Sequence, residues 1–228
     1  MKQRFILYKF TTRSRPARFK EALKTILDNA KSNNFMVLVS IDNDDESMQN
    51  FLTNEWQEHP NVVFISGVSE NKIHAINRDV ELADEYADWD ILVNMSDDMH
   101  ILSPRFEDVV RESFEDGLDH FLHLPDGYAN ERIPSMSIMG RDYYNRFGFI
   151  YHPSYKSVWA DNEAMDVAKL LGRWRYVNES VFTHHHPANV GSHLWDEQYQ
   201  KTEAYDVHCA DNKTFESRKL AGFPNEWN

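Results

Sequence analysis

The stretch Ile91-Leu-Val-Asn-Met-Ser-Asp-Asp-Met-His100 constrains this chain more than any other. Ile91-Leu92-Val93 is apolar and short enough to be a strand covered on both faces. Asp97 and Asp98 follow almost at once. Two unpaired carboxylates are too costly to bury, so the strand should end there and open into a site. In an open α/β sheet, ligands bind just beyond the carboxyl ends of the strands. Neighbouring side chains of an extended segment point to opposite sides. One carboxylate can then meet a divalent cation while the other holds a water, a ribose hydroxyl or a lysine. Mg2+ or Mn2+ suits such a place, because hard cations take oxygen ligands, commonly carboxylates together with substrate phosphates. The competing reading is a solvated turn.

Earlier segments build toward that strand. Phe5-Ile-Leu-Tyr-Lys-Phe10 reads as a first strand, ended by Thr11-Thr12-Arg13-Ser14-Arg15-Pro16. Ser14 is the expected N-cap of the following helix, and Pro16 fits its first turn. Phe19, Leu23, Ile26 and Leu27 then recur at helical spacing. Arg13 and Arg15 stand between strand end and helix start, where anions bind well. Taken singly, either arginine reads equally well as solvated. No glycine-rich loop is present, which argues against a P-loop and a dinucleotide fingerprint.

Phe35 to Ile41 is nearly continuous apolar and runs into Asp42-Asn-Asp44-Asp-Glu46, a second acidic strand end. Its carboxylates can accept from base N–H groups and ribose hydroxyls, or form an ordinary turn. Ser47 to His59 reads as a helix and Asn61 to Ser66 as a strand. Asn71-Lys72-Ile-His-Ala-Ile-Asn77 then starts a helix that puts Lys72 and Asn77 near the ligand edge. Alternation of this kind implies a parallel sheet with right-handed crossovers.

Beyond His100 the pattern loosens. Phe121 to Leu124 and Pro134 to Met139 read as strands, and Asp161 to Gly172 as a helix with Asp161 at its N-cap. In His184-His185-His186 the first and third share a face, either toward solvent or toward a metal. No His-Glu-x-x-His spacing supports hydrolytic zinc chemistry. A polar tail from Ala188 carries scattered aromatic residues and is expected to wrap the body.

Composition narrows the field. The formal net charge of −13 over 228 residues disfavours broad binding to nucleic acid or an anionic membrane. A single cysteine, Cys209, leaves no intrachain disulfide and no Cys-based zinc site. No apolar stretch reaches membrane-spanning length, and the amino terminus lacks a secretory apolar core, so a cytoplasmic location is expected.

In order, Thr11-Thr-Arg-Ser-Arg-Pro, Ser40-Ile-Asp-Asn-Asp-Asp, Asn71-Lys-Ile-His-Ala-Ile-Asn, Ser96-Asp-Asp-Met and Ala160-Asp-Asn-Glu, with histidines after them, resemble a GT-A fold glycosyltransferase, nearest to family 2. The resemblance runs from about Phe5 to Pro187. It implies an α/β fold with a mainly parallel Rossmann-like sheet and a smaller mixed acceptor-side region. It further implies one domain over residues 1–228, with a nucleotide-sugar half (1–100), an acceptor and catalytic half (101–187) and a wrapping tail (188–228). Thr11, Thr12, Arg13, Arg15, Asp42, Asp44, Lys72, Asn77 and Asp97 would hold the nucleotide. Asp98 would bind Mn2+ or Mg2+ directly, with Asp97 as its partner and His184 or His186 completing the site. Asp161 would be the general base, with Glu163 in reserve. The donor would be a nucleoside diphosphate sugar, UDP-linked for preference. The hydroxyl acceptor would be a glycan, a lipid-linked saccharide or a modified DNA base, and transfer would invert. Two departures stand out: Met95 replaces the first acid of the usual Asp-x-Asp, and Ala160 replaces the acid usually found before Asp161. They motivate a second reading, a noncatalytic nucleotide-sugar or glycan-binding module.

Overall fold

A computed structural model describes residues 3–191 and 195–224. Strands β1 (Ile6–Thr11), β2 (Phe35–Asp42), β3 (Val62–Gly67) and β4 (Ile91–Ser96) alternate with helices α1 (Pro16–Asn29), α2 (Glu46–Asn54) and α3 (Lys72–Asn77). There follow β5 (Met99–Ile101), α4 (Arg105–Glu112), β6 (Phe121–His123), β7 (Ile138–Gly140), α5 (Arg141–Asn145), α6 (Ala160–Leu170), β8 (Trp174–Tyr176) and β9 (Phe182–His184). The tail adds α7 (Pro187–Val190), α8 (Glu197–Thr202) and α9 (Tyr205–Leu220). The main sheet has seven strands in the order β3-β2-β1-β4-β7-β6-β8, while β5 and β9 form an antiparallel pair of their own.

β1 is parallel to β2 on one side and to β4 on the other, and β2 is parallel to β3. After β3 the chain crosses back past β1 to add β4. The strand order therefore reverses at β1, and the crevice at the carboxyl ends of β1 and β4 is a topological switch point, where open α/β sheets bind ligands. In register, Thr11 lies beside Ser40 and beside Ser96, so β1 and β4 end at one level and β2 runs two residues further to Asp42. The antiparallel β4–β7 and β6–β7 pairs make the far half of the sheet mixed.

Side-chain alternation along β1 explains the layers. Ile6, Tyr8 and Phe10 pack against Phe19, Leu23 and Ile26 of α1, while Leu7 joins Ile73 and Ile76 of α3 in the opposite core. Lys9 also points toward that second face and is fully buried. Its Nζ donates to Ser40 Oγ at 2.7 Å and to the Ala75 carbonyl at 3.1 Å, tying β1 to β2 and α3. Burial brings its pKa down to about 7.

Several local readings are corrected. Ser14 is not a cap: it takes φ 60° and its N–H donates to Asp45 Oδ2 at 2.6 Å, while Arg15 occupies the N-cap position without a side-chain capping bond to the helix. Helix α6 begins at Ala160 after Trp159, which places Asp161 inside the first turn rather than at the cap. The strand read from Pro134 shortens to Ile138–Gly140, in keeping with a proline that has no N–H to give a ladder. The tail is more than a wrap, because α9 packs on α6 through Arg218, which chelates the buried Glu163 carboxylate at 2.8 Å. Arg218→Met would leave Glu163 with only the Tyr155 hydroxyl, and we expect a loss of ~3 kcal/mol in urea unfolding. An unchanged midpoint would mean that this pair does not hold the tail in place.

Candidate active site

β4 ends where its side chains turn polar. Asp97 and Asp98 form the corner, β5 begins at Met99, and β5 runs antiparallel to β9 with Met99 opposite His184. The His185 N–H donates to the Asp98 carbonyl at 2.7 Å. This pairing carries the histidine run back across the sheet, and His184 Nε2 stands 3.2 Å from Asp98 Oδ2. The same carboxylate accepts the Tyr199 hydroxyl at 2.6 Å and the hydroxyl of Ser96. Burial would raise the Asp98 pKa, but His184 and these donors hold it well below the usual carboxylate range. For His184 burial also works against charge, and Asp98 outweighs it, so the imidazole pKa is raised.

Asp97 turns the other way. Its oxygens accept from Thr12 Oγ1 at 2.8 Å and Arg15 at 3.0 Å. Burial and then the charge of Asp98 push its pKa up to about 6, against the pull of Arg15. Arg15 is further chelated by Asp196, the N-cap of α8, at 2.9 and 2.5 Å, and its guanidinium lies 3.9 Å over the Tyr199 ring. Arg13 is held by Asp42 at 2.5 Å and by Asp44 through two bonds of 2.8 Å. Neither arginine is therefore a free anion ligand, as position alone had suggested. Lys72 is the lysine or arginine of this cavity that has no ion pair among the described residues. It lines the cavity together with Asp161, His184 and Glu203, and its charge lowers the pKa of each.

These groups line one cavity of about 760 Å³ over the β1–β4 switch point, together with Thr11, Thr12, Asp42, Asp44 and Asp161. The Asp161 carboxylate accepts the amide of Asn162 next to it at 2.9 Å, and burial raises its pKa above the carboxylate norm. Glu163, one turn position on, faces away into its bond with Arg218 and does not line the cavity. Asn77 does not line it either: its side chain accepts from the amides of Ile150 and Tyr151 and donates to the Tyr151 carbonyl, fastening α3 to that loop. His186 bonds to Glu203 at 2.7 Å instead of joining Asp98. Among the described residues no group of three or more His, Cys, Asp or Glu side chains is placed to hold a metal ion. The grouping of Asp97, Asp98, His184 and His186 around one cation is thus not assembled. What remains is the Asp98–His184 pair, and its 3.2 Å separation matches the ~3.0 Å between adjacent ligands of an octahedral cation with bonds of ~2.1 Å.

Sequence reasoning missed Tyr199, Asp196 and Glu203, all from the tail. Asp196-x-x-Tyr199 carries an N-cap signature, yet nothing local says that its helix sits on Asp98, 101 positions away. Asp126 was missed as well. It is 1 % exposed, accepts the amides of Tyr128, Ala129 and Asn130, and lies 4.0 Å from His184 Nδ1.

No helix among the described residues is long and apolar enough to cross a membrane. No family model and no curated protein matches the chain. Solved structures do. The mannosyltransferase PcManGT from Pyrobaculum calidifontis, in complex with GDP-Man and Mn2+, superposes with a TM-score of 0.63 at 13% identity, over 83% of this chain and 59% of its own. S. aureus TarS in complex with UDP-GlcNAc gives 0.55 at 14% identity, over 78% and 57%. A cytidylyltransferase from Leptospira borgpetersenii gives 0.51 at 15% identity, over 78% and 77%. The chain spans less than two thirds of the two transferases it matches. At such identities the likeness speaks for the fold alone, a GT-A-like α/β architecture shared with these two transferases and, at a lower TM-score, with the cytidylyltransferase.

Proposed function

We propose that this chain is a metal-dependent glycosyltransferase that moves a sugar from a nucleoside diphosphate sugar, UDP-linked for preference, to a hydroxyl acceptor with inversion. The observation that carries the reading is the meeting, in one cavity at the switch point, of the Asp98–His184 pair, of Lys72, which has no ion pair among the described residues, and of the half-buried Asp161. Asp98 Oδ2 and His184 Nε2 would hold Mn2+ or Mg2+, with phosphate oxygens and water as the other ligands. The cation would supply charge stabilisation to the departing diphosphate. Lys72 serves the same developing charge from the protein side. Asp161, whose raised pKa favours proton uptake, takes the acceptor proton. The acceptor oxygen bonds to the anomeric carbon as the bond to the diphosphate oxygen breaks, and the electron pair leaves with the nucleoside diphosphate.

The departures at Met95 and Ala160 weigh little against this. Both residues line the cavity with little exposed surface, 1 % and 3 %, and carboxylates from other positions, Asp97, Asp98 and Asp161 among them, line it too. Sugar nucleotides incubated with the protein and Mn2+ or Mg2+ should release nucleoside diphosphate. No release and no nucleotide binding with any donor would remove the reading. Metal-dependent binding without release, over a broad acceptor panel, would instead favour the noncatalytic module.

A further inference from the structure

A cation lies behind the floor of the cavity. Lys9 of β1 has no exposed surface, and no carboxylate comes within ion-pair distance of it among the described residues. An ammonium has three N–H donors. Three neutral oxygens take them: Ser40 Oγ, the Ala75 carbonyl and, at 3.2 Å, Thr11 Oγ1. All three residues line the cavity, and Lys9 does not. The charge therefore sits one layer below the surface on which a ligand would rest.

Such a charge opposes folding. A buried ion with no counter-ion is costly, and the neighbouring core positions Leu7 and Leu38 are apolar. What the ammonium supplies is a junction of three elements. Thr11 ends β1, Ser40 lies on β2, and Ala75 stands in the last turn of α3, whose end carbonyls lack helical partners. Lys72 opens the same short helix and lines the cavity. From Ser40 the link continues to Asp79 Oδ2 at 2.6 Å, and Asp79 pairs with Arg78 at 2.8 Å. Arg78 in turn lies 3.6 Å from the Asp42 that holds Arg13.

The charged groups around Lys9 are Asp79 and Arg78, which follow α3, and Asp42 at the end of β2; its neighbour on β4, Asn94, is neutral. Burial dominates and lowers the Lys9 pKa to about 7; Arg78 acts with it and the two aspartates act against it. An anion on the floor would add to the aspartates and favour the charged form. Building on the transferase reading, we propose that Lys9 is a positioning residue for the donor: its ammonium fixes the Thr11–Ser40 floor and the end of the helix that carries Lys72, and a diphosphate bound over it is matched by a proton taken up from solvent at Lys9.

Calorimetry with UDP-GlcNAc and GDP-mannose in the presence of Mn2+ measures donor affinity. Repeating it in buffers of different protonation enthalpy counts the protons taken up. Sugar nucleotides are the probe because their diphosphate has no proton to lose near neutral pH. Above the Lys9 pKa of about 7, wild-type protein should take up protons on binding, and its affinity should fall as pH rises. Lys9→Met keeps the aliphatic stem alone. It should bind the donor about 10-fold more weakly, lose this proton uptake and keep the wild-type fold-response to Mn2+. Unchanged affinity in Lys9→Met, proton uptake equal to wild type, or a lost Mn2+ response would overturn the role of Lys9 and leave the transferase reading standing. Should Lys9→Met fail to fold, the wild-type proton count decides: uptake above that pH supports the role, and its absence overturns it. Absence of donor binding by the wild type would remove the transferase reading, and the role of Lys9 with it.

Discussion

In Asp98→Asn protein, nucleoside diphosphate binding should lose its response to Mn2+, and transfer should fall by at least ~10²-fold. The substitution keeps the side-chain volume at a position that is 7 % exposed, so packing survives. It removes the charge that faces His184 and one oxygen of the proposed pair. The Tyr199 and Ser96 hydroxyls donate to different oxygens of Asp98; in the variant one can still donate to the amide oxygen while the other accepts from the amide NH2, which separates this variant from a simple unfolding mutant. Titrating UDP and GDP into wild type and variant, with Mn2+ and with chelator, gives the comparison. A variant whose affinity still rises with Mn2+ as in wild type would make the β4 corner structural, and the metal assignment would have to be abandoned. His186 bonds to Glu203, so His186→Ala should change the metal response far less.

Asp161→Asn separates the base from the metal. Removal of a general base costs ~10²–10⁴ in rate, so transfer should fall by about that factor while metal-dependent nucleotide binding stays intact. The pH dependence carries a definite sign. Burial raises the Asp161 pKa, and a base works only when ionised. The acid limb of kcat/KM in the wild type should therefore lie above the ordinary carboxylate range of ~4, activity being lost as pH falls through the raised value. Lys72, whose charge opposes the shift, tunes it: Lys72→Met should move that limb further up. Wild-type turnover in Asp161→Asn would exclude it as the base. Glu163 could not take over in this conformation, since Arg218 and Tyr155 occupy both its oxygens.

The order β1-α1-β2-α2-β3-α3-β4 was legible because each piece is specified locally. Continuous apolar runs such as Phe35–Ile41 can only be strands covered on both sides, and apolar residues at helical spacing, as in α1, need one buried face. The position of the candidate cavity followed from the same logic, because Asp42, Asp97 and Asp98 stand at strand ends and line it. The partner of each charged group was not legible. Arg13 and Arg15 read as anion ligands, but in space carboxylates from β2, β4 and the N-cap of α8 take them. Asn77 and Glu163 have the right residue type and neighbourhood, yet a helix presents each side chain in one direction, and packing turned both away from the cavity. His184 and His186 are equivalent in sequence and differ only through what faces them, Asp98 for one and Glu203 for the other. Tyr199 and Asp211 lay in a tail with no readable pattern, because their roles come from contacts with residues 98 and 156–158. Local sequence determines which segments can be strand, helix or polar end. Which charge meets which is decided by long-range docking, where burial and electrostatics act on pairs that the chain itself keeps far apart.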